Sequence, residues 1–217
     1  MTKEWLVLYI GFFKRFLDIL ISVLALLFLW PLLLIVALAI KIEDPGPAVF
    51  KQQRVGKGKE LFSLYKFRSM KQNTPDIPTH LLQNPEQYIT KVGRVIRKAS
   101  VDELPQLLNI LRGDMSIVGP RPALWNQDDL IAERDRYGAN DVLPGLTGWA
   151  QINGRDELEI PVKARLDGEY VERLSFLFDL KCFFGTIAPV LKATGVAEGS
   201  LREAEFELHE KEAIKKG

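Results

Sequence analysis

The feature that most constrains this chain is an apolar segment near its N-terminus. No charged residue occurs between Ile19 and Ile40, and a run of about 20 apolar residues is long enough to cross the core of a bilayer as a helix. The run is longer than the hydrophobic region of an ordinary signal peptide, and no small-residue cleavage pattern closes it. The sequence therefore predicts a membrane helix that stays in the mature protein.

Two features indicate how this helix lies in the bilayer. Pro31 stands in the middle of the run, where a proline removes a backbone hydrogen bond and predicts a kink near residues 29–32. Basic residues flank both ends, with Lys14 and Arg15 before the run and Lys41 after it. Since basic residues favour the cytoplasmic side, the flanks favour a re-entrant helix with both ends in the cytoplasm. A helix that spans the bilayer stays open as the alternative.

Arg15 and Asp18 lie three residues apart at the entry to the apolar run. This spacing lets the two side chains form an ion pair on the helix surface, which lowers the cost of an acid at the membrane edge. The alternative is that both side chains lie among lipid headgroups.

The length and composition suit a membrane anchor followed by one compact domain. The chain has 217 residues, too few for two large domains. We predict an anchor at residues 1–44, a cytosolic domain at 45–195 and a charged tail or helix at 196–217.

The formal net charge of +1 argues against a nucleic-acid partner. Cys182 is the only cysteine, which excludes an internal disulfide, and two histidines argue against a histidine metal cluster or triad.

The domain after the anchor is predicted to begin with a hairpin. Residues 48–55 and 61–67 read as extended segments around a loop of alternating glycine and lysine. The segment 72–87, which contains three prolines, is predicted to be a loop.

Two later segments have helical periodicity. Leucines recur at helical spacing from Leu104 until Gly113 ends the pattern. Residues 175–192 place a stripe of apolar side chains on one helical face, which fits either a core helix or an interfacial helix on the same leaflet as the anchor. That stripe consists of Phe176, Leu180, Phe183, Phe184, Ile187 and Leu191.

Basic residues cluster in the segment that follows the anchor. Between Lys51 and Lys71 seven basic residues stand against the single acid Glu60, and four more follow between Lys91 and Lys98. Such clusters suit the binding of phosphate groups, whether on a nucleotide or on a lipid.

Adjacent carboxylates at Asp102 and Glu103 stand at the start of the helical segment in which leucines recur from Leu104. Ser100 and Glu103 have the spacing of a capping box, which is a purely structural interpretation. Pro105 weakens it, because a cap at Ser100 places the proline ring against the preceding turn. A cap at Asp102 instead places Pro105 in the first turn and lets the helix dipole keep the carboxylate ionised. Such a carboxylate near basic residues is a candidate phosphoryl nucleophile or metal ligand.

Arg121 stands between Pro120 and Pro122, which restrict its backbone. A rigidly mounted guanidinium suits bidentate binding of phosphate oxygens, although a solvated arginine on a surface turn fits the same pattern. A glycine-punctuated segment from Pro144 to Arg155 carries amide, indole and guanidinium groups that suit a nucleotide or sugar pocket.

Several familiar motifs are absent from the sequence. It has no Walker A lysine motif, no G-x-G-x-x-G and no H-E-x-x-H, which argues against ATP hydrolysis, dinucleotide redox chemistry and zinc proteolysis. It also lacks the Asp-x-Asp pair expected of many metal-dependent glycosyltransferases.

Taken together, these segments resemble the bacterial sugar transferase family, the monotopic phosphoglycosyl transferases that begin polysaccharide, O-antigen or glycoprotein glycan assembly. The resemblance covers nearly the whole chain. The length of the chain resembles that of the small, minimal members of the family. It is carried by Lys14-Arg15-x-x-Asp18 with the Pro31-broken anchor, Gly46-Pro47, Phe50-Lys51-Gln52, Tyr65-Lys66-Phe67-Arg68-Ser69-Met70, Asp102-Glu103-Leu104-Pro105-Gln106-Leu107, Gly113-Asp114-Met115-Ser116, Gly119-Pro120-Arg121-Pro122, Gly148-Trp149-Ala150-Gln151-Ile152-Asn153-Gly154-Arg155 and Ser175-Phe176 with Asp179-Leu180-Lys181.

The resemblance implies a two-step transfer of a sugar-1-phosphate. The Asp102 carboxylate would attack the sugar-bearing phosphorus of a UDP-sugar and expel UMP, and a polyprenyl (undecaprenyl) phosphate would then take the phosphosugar from the enzyme. Glu103 would assist as an acid, a base or an electrostatic group, and Mg²⁺ near Asp102 would offset the pyrophosphate charge. The substrate-binding residues that it implies are Lys66, Arg68, Arg97, Arg121, Gln151 and Asp167.

The resemblance also implies an α/β (mainly α) fold with a re-entrant membrane helix, a small cytosolic catalytic domain and interfacial amphipathic helices. The protein would lie among the lipids of the bacterial inner membrane and face the cytoplasm. Its oligomeric state stays open, a homodimer included. Two other functions also stay open: a glycosyltransferase that releases UDP, and a membrane-anchored scaffold without catalysis. The sequence does not identify the sugar.

Overall fold

The computed structural model describes residues 9–74, 85–154 and 158–192. The predicted tail at 196–217, Arg155 and the middle of the predicted loop at 72–87 lie outside the described residues.

A single long helix opens the described chain. A π-helical turn at Tyr9–Phe13 leads into α1 at Lys14–Glu43. The combined segment is long and apolar enough to cross a membrane, as the sequence predicts. The backbone stays helical through Pro31 and through residues 29–32, where the sequence predicts a kink. The proline therefore does not end the helix.

A hairpin follows α1 and confirms the extended segments that the sequence predicts. Strand β1 at Val49–Val55 pairs antiparallel with β2 at Leu61–Phe67. The connecting loop forms a 3₁₀ turn at Lys57–Lys59, in which Gly58 has a φ of 65°. Glycine adopts this left-handed conformation without the steric penalty of a side chain.

The remaining described elements make the fold α/β and mainly helical, as expected. Two further 3₁₀ turns lie at Pro85–Gln87 and Val101–Glu103, and β3 pairs parallel with β4. The other helices and strands are α2 (Lys91–Lys98), α3 (Gln106–Arg112), β3 (Ser116–Val118), α4 (Asp128–Asp135), β4 (Gly145–Thr147), α5 (Trp149–Ile152), α6 (Ile160–Glu172) and α7 (Phe176–Lys192). Helix α3 ends at Gly113 with a φ of 97°, which confirms the predicted end of that helix.

Of three apolar clusters among the described residues, two hold the N-terminal helical segment against the domain. The larger cluster joins β2, α3, β3, α6 and α7 around Leu64, Ile110, Met115, Tyr170 and Cys182. The smaller cluster joins α1 to the hairpin and to α2, and its buried members are Val36, Ile40, Ala48, Phe67 and Ile96. Ala25 and Leu26 of α1 pack against the larger cluster. Burying a large apolar side chain stabilises a fold by about 1.5–3 kcal/mol, so both clusters hold α1 against the domain.

The first turns of α1 also make polar contacts with the domain. Arg15 donates hydrogen bonds to the carbonyl oxygens of Ile110 (2.5 Å) and Leu111 (3.0 Å) at the end of α3, and Asp18 accepts the backbone N–H of Ile117 (2.9 Å). Both expectations for Arg15 and Asp18, a mutual ion pair or a place among headgroups, are therefore wrong. The carbonyls in the last turn of a helix attract a guanidinium, and the buried backbone N–H of Ile117 in β3 attracts the carboxylate.

A second polar group ties the start of the described chain to α7. The Asp179 carboxylate accepts hydrogen bonds from the hydroxyls of Tyr9 (2.6 Å) and Tyr170 (2.7 Å) and pairs with the Lys14 ammonium. Lys14 and Tyr170 both donate to the carbonyl oxygen of Val118 as well. The N-terminal end of α1 is thus fixed to the domain by charge as well as by packing.

Helix α7 has the predicted extent but presents a different face to the core. Phe178, Asp179 and Cys182 are buried, whereas the described members of the predicted stripe are exposed: Phe176, Leu180, Phe183 and Phe184. The side chains of Ile187 and Leu191 lie outside the described part. The core interpretation of the stripe is therefore wrong for its first four members, which form an exposed apolar face.

We predict that Cys182 does not react with thiol reagents in the native protein. It is fully buried, and burial, followed by the nearby Asp179 carboxylate, raises the pKa of its thiol to about 12. Only the thiolate is a good nucleophile, so labelling by a maleimide at about pH 8 should require denaturant. Mass spectrometry checks this, and fast stoichiometric labelling of the folded protein would contradict it.

Candidate active site

The acidic pair lies in the 3₁₀ turn between α2 and α3. Ser100, just before the turn, has a left-handed backbone (φ 55°, ψ 19°), and its side chain caps nothing. The N-cap position of α3 is Pro105, again without a side-chain cap. Both predicted capping arrangements, at Ser100 and at Asp102, are therefore wrong. The helix starts after the proline, where its missing N–H removes no helical bond, and neither carboxylate is used as a cap.

Glu103 forms ion pairs with two cations from distant parts of the chain. Its carboxylate lies 2.9 Å from the Lys66 ammonium, on β2, and 2.7 Å from the Arg121 guanidinium, in the segment after β3. Burial alone would raise the pKa of Glu103, but Arg121 and Lys66 together hold it well below its ordinary value. Glu103 is therefore an anion at neutral pH and holds both cations in place.

Asp102 has a different environment. It is also buried, yet no hydrogen bond from the described residues reaches its carboxylate. Burial first, and the neighbouring Glu103 anion second, raise the pKa of Asp102, while Lys66, Arg97 and Arg121 partly offset that rise. The prediction that a helix dipole keeps Asp102 ionised is therefore wrong, since Asp102 lies before the start of α3 and burial raises its pKa. A carboxylate without bound donors has no hydrogen bond to break before it attacks an electrophile.

The structure brings together five of the sequence-predicted site residues. Lys66 comes from β2, Arg97 from the last turn of α2, Asp102 and Glu103 from the 3₁₀ turn, and Arg121 from between its two prolines. Three cations thus surround two adjacent carboxylates. Such an arrangement suits a substrate that carries several negative charges.

The other three predicted residues have other contacts. Arg68, the residue after β2, donates to the carbonyl oxygen of Asp44 and lies 3.6 Å from its carboxylate. Asp167 on α6 is fully buried and accepts two hydrogen bonds from Arg134 on α4. Gln151 is buried in α5, and its amide has no partner among the described residues. None of the three makes a described contact with the acidic pair.

A shallow depression lies beside Lys66 and Arg121, the two cations that pair with Glu103. Its walls are formed by Arg54, Leu64, Lys66, Gln106, Arg121 and Pro122. Gln106 is almost fully buried, and its amide nitrogen lacks an acceptor in the described structure. Sequence reasoning did not single out Gln106 as a site residue, although it follows the acidic pair closely on the same motif.

Asn109 is a second residue that sequence reasoning missed. Its fully buried amide accepts the backbone N–H of Tyr65 (3.0 Å) and donates to the carbonyl oxygen of Ser63 (2.8 Å) and to Asp114 (3.0 Å). These bonds fix β2 against α3, and so fix Lys66 beside the acidic turn. The available signal was a polar residue within an amphipathic helix.

We expect Asn109→Ala to destabilise the fold by about 2 kcal/mol or more, because it leaves the partly buried Tyr65 N–H without an acceptor and the Ser63 carbonyl without a donor. Thermal unfolding of the detergent-solubilised protein measures the loss. Asn153→Ala is the matched control, because this exposed amide also donates to a backbone carbonyl. Equal melting temperatures for the two variants would contradict the positioning role of Asn109.

The described residues can offer a magnesium ion one protein ligand. No group of three or more His, Cys, Asp or Glu side chains that could hold a metal occurs among the described residues. The Glu103 carboxylate is already engaged by Lys66 and Arg121, whereas Asp102 accepts no hydrogen bond there. Mg²⁺ is often held by one or two carboxylates together with substrate phosphates and water. Asp102 fits as a single protein ligand of that kind.

The sequence of this chain is similar to those of known proteins. Residues 9–193 match the bacterial sugar transferase family. A UDP-N-acetylgalactosamine-undecaprenyl-phosphate N-acetylgalactosaminephosphotransferase from Aeromonas hydrophila is 41% identical over 85% of this chain and 45% of its own length. A UDP-glucose:undecaprenyl-phosphate glucose-1-phosphate transferase from Caulobacter vibrioides is 43% identical over 82% of this chain and 69% of its own. The exopolysaccharide production protein PSS from Rhizobium leguminosarum is 41% identical over 82% of this chain and 94% of its own.

The chain thus spans less than half of the Aeromonas protein but more than two thirds of the other two. Because the family match covers most of the chain, this protein belongs to the bacterial sugar transferase family.

Proposed function

We propose that this chain transfers a sugar-1-phosphate from a UDP-sugar to undecaprenyl phosphate and releases UMP. The observation that carries the proposal is the asymmetry of the acidic pair: Glu103 is bound by two cations, whereas Asp102 accepts no described hydrogen bond. One carboxylate holds the phosphate-binding cations, and the other is available to attack. The Aeromonas and Caulobacter relatives are named for transfer to undecaprenyl phosphate.

In the first step, a carboxylate oxygen of Asp102 forms a bond to the sugar-bearing phosphorus of the donor. The bond between this phosphorus and the bridging oxygen breaks, and its electron pair leaves with UMP. The product is an acyl phosphate in which Asp102 carries the phosphosugar. In the second step, an oxygen of undecaprenyl phosphate attacks the same phosphorus, and the Asp102 carboxylate leaves.

The cations around the acidic pair bind and orient the phosphates. A lysine has three donor hydrogens and an arginine five, so Lys66 and Arg121 can keep Glu103 as a partner and still bind phosphate oxygens. Arg97 completes the positive environment of Asp102. We assign Glu103 an electrostatic role, because a carboxyl with a lowered pKa has no proton to donate at neutral pH. Bound Mg²⁺, held by Asp102 and the donor phosphates, would supply charge neutralisation to the pyrophosphate.

We propose that α1 is re-entrant and that both its ends lie on the cytoplasmic side of the inner membrane. Arg15 near its start and Ile40 near its end both contact the same domain, which favours a common side of the bilayer. Between them, one face of α1 packs on the domain, while residues such as Phe28 and Trp30 are exposed. The exposed apolar face of α7 would lie in the same leaflet, where membrane lipids and the lipid-linked acceptor meet the site. A homodimer stays a prediction.

The nucleotide that leaves distinguishes the candidate functions. Detergent-solubilised protein is incubated with Mg²⁺, undecaprenyl phosphate and each of several UDP-sugars, and the released nucleotide is identified by chromatography. We expect UMP with one sugar or a few, together with a lipid-linked diphosphosugar. Release of UDP would mean transfer of the sugar alone, and no nucleotide from any of a broad panel of donors would favour a scaffold.

A further inference from the structure

The C-terminal end of the membrane helix contacts the helix that carries Arg97. The Glu43 carboxylate, in the last turn of α1, accepts the backbone N–H groups of Lys91 (2.7 Å) and Val92 (2.8 Å). The Thr90 hydroxyl accepts the next one, from Gly93 (2.8 Å). The first N–H groups of a helix have no intrahelical partner, so a residue 48 positions earlier in the chain supplies two of the three acceptors that start α2.

The same part of α1 packs against residues that directly adjoin the site. The apolar cluster around Val36 and Ile40 includes Phe67, Ile96 and, partly buried, Val101. Each of these three residues precedes or follows a site residue in the chain, since their neighbours are Lys66, Arg97 and Asp102. The membrane helix therefore fixes the backbone from which three charged groups of the site project.

Packing of this kind resists separation of the two helices but constrains sliding and rotation less. The two hydrogen bonds of Glu43 restrict sliding and rotation as well, because they fix the start of α2 relative to the last turn of α1. Helix α2 has eight residues and is rigid over that length, so a shift at Lys91 reaches Arg97 in its last turn. Among the described contacts, Glu43 is the only side chain that joins α1 to α2 by hydrogen bonds.

We propose that Glu43 is a positioning residue, which couples the membrane helix to the active site by capping the helix that carries Arg97. The kinetic part of this inference rests on the proposed transfer reaction. Its structural part concerns the start of α2 and stands independently of that reaction.

The test uses the full chain in detergent and compares Glu43→Ala with Glu43→Gln, which keeps one acceptor oxygen. Hydrogen exchange of the peptide that covers α2 should be fastest in Glu43→Ala, intermediate in Glu43→Gln and slowest in the native protein. Exposed Glu60 lies outside this contact, so Glu60→Ala is the matched control and should leave that exchange unchanged. Unchanged exchange in Glu43→Ala would overturn the inference whether or not the protein releases UMP.

A double-variant comparison separates positioning from general weakening of the fold. Glu43→Ala should lower kcat/KM for the UDP-sugar about fivefold in the native background, because loss of the cap lets the start of α2 shift and misplaces Arg97. In an Arg97→Gln background the same change should lower kcat/KM less than about twofold, because residues that act through one another are not additive. Equal losses in both backgrounds would overturn the inference, since the effect would then bypass Arg97.

Discussion

Replacing Asp102 with asparagine is expected to reduce UMP release by roughly a thousandfold or more, because it replaces the nucleophilic carboxylate with a neutral amide of nearly the same shape. Asparagine cannot form the acyl phosphate, so neither step of the transfer can proceed through this position. The rate of UMP release under saturating UDP-sugar and undecaprenyl phosphate measures the loss.

The stability of the same variant is expected to move in the opposite direction. Burial and Glu103 raise the pKa of Asp102 above its value in the unfolded chain, so ionisation of this group opposes folding at neutral pH. An uncharged amide relieves that penalty, and the melting temperature of Asp102→Asn should equal or exceed that of the native protein. Exposed Asp141 offers the control substitution, Asp141→Asn, which should change neither property. An Asp102→Asn enzyme within tenfold of native activity would contradict the nucleophilic role.

The second large effect is expected at the buried ion pair between Asp167 and Arg134. Both side chains are almost fully buried, and two hydrogen bonds of 2.8 Å and 2.5 Å join the Arg134 guanidinium to one carboxylate oxygen. Removal of one partner leaves the other charge buried and uncompensated, which typically costs about 3–5 kcal/mol. Asp167→Ala should therefore lower the melting temperature severely and reduce the yield of folded protein.

A paired substitution separates this structural role from the substrate-binding role that the family resemblance implies for Asp167. Arg134→Met combined with Asp167→Leu replaces the ion pair with apolar side chains of similar size, and such replacements are often neutral or stabilising. We expect the double variant to recover both the melting temperature and most of the UMP release. Recovered stability with a greatly raised KM for the UDP-sugar would instead show that Asp167 binds substrate.

Patterns among neighbouring residues predicted the hairpin and most of α3, because these elements depend on short-range signals. Short extended segments on both sides of a loop of glycine and lysine predicted the hairpin, and leucine spacing closed by Gly113 predicted most of α3. The buried face of α7 was not predictable in this way, because Phe178 and Cys182 on one side are as apolar as Phe176 and Phe183 on the other. Packing against β3 and Trp149 selects the buried face, and no spacing rule contains that information.

The site has the same division between local and long-range information. The acidic pair is visible in the sequence, but its two cation partners arrive from β2 and from the segment after β3. The flanking prolines and the resemblance to a family both pointed to Arg121, the resemblance supplied Lys66 and Arg97, and the structure brings all three together with the pair. It also supplied Arg68 and Asp167, which the structure pairs with Asp44 and Arg134. A motif does not distinguish a charge that binds a ligand from one that binds the fold.

The central claim is that Asp102 becomes bonded to the phosphosugar, and the mass of the intact protein tests it most directly. The native protein is incubated with Mg²⁺ and its UDP-sugar in the absence of undecaprenyl phosphate, and acid quenching is followed by mass spectrometry. We expect a mass increase of one phosphosugar that maps to the peptide containing Asp102, disappears when undecaprenyl phosphate is added and never forms in Asp102→Asn. UMP release without any adduct, or an adduct on another residue, would contradict the account.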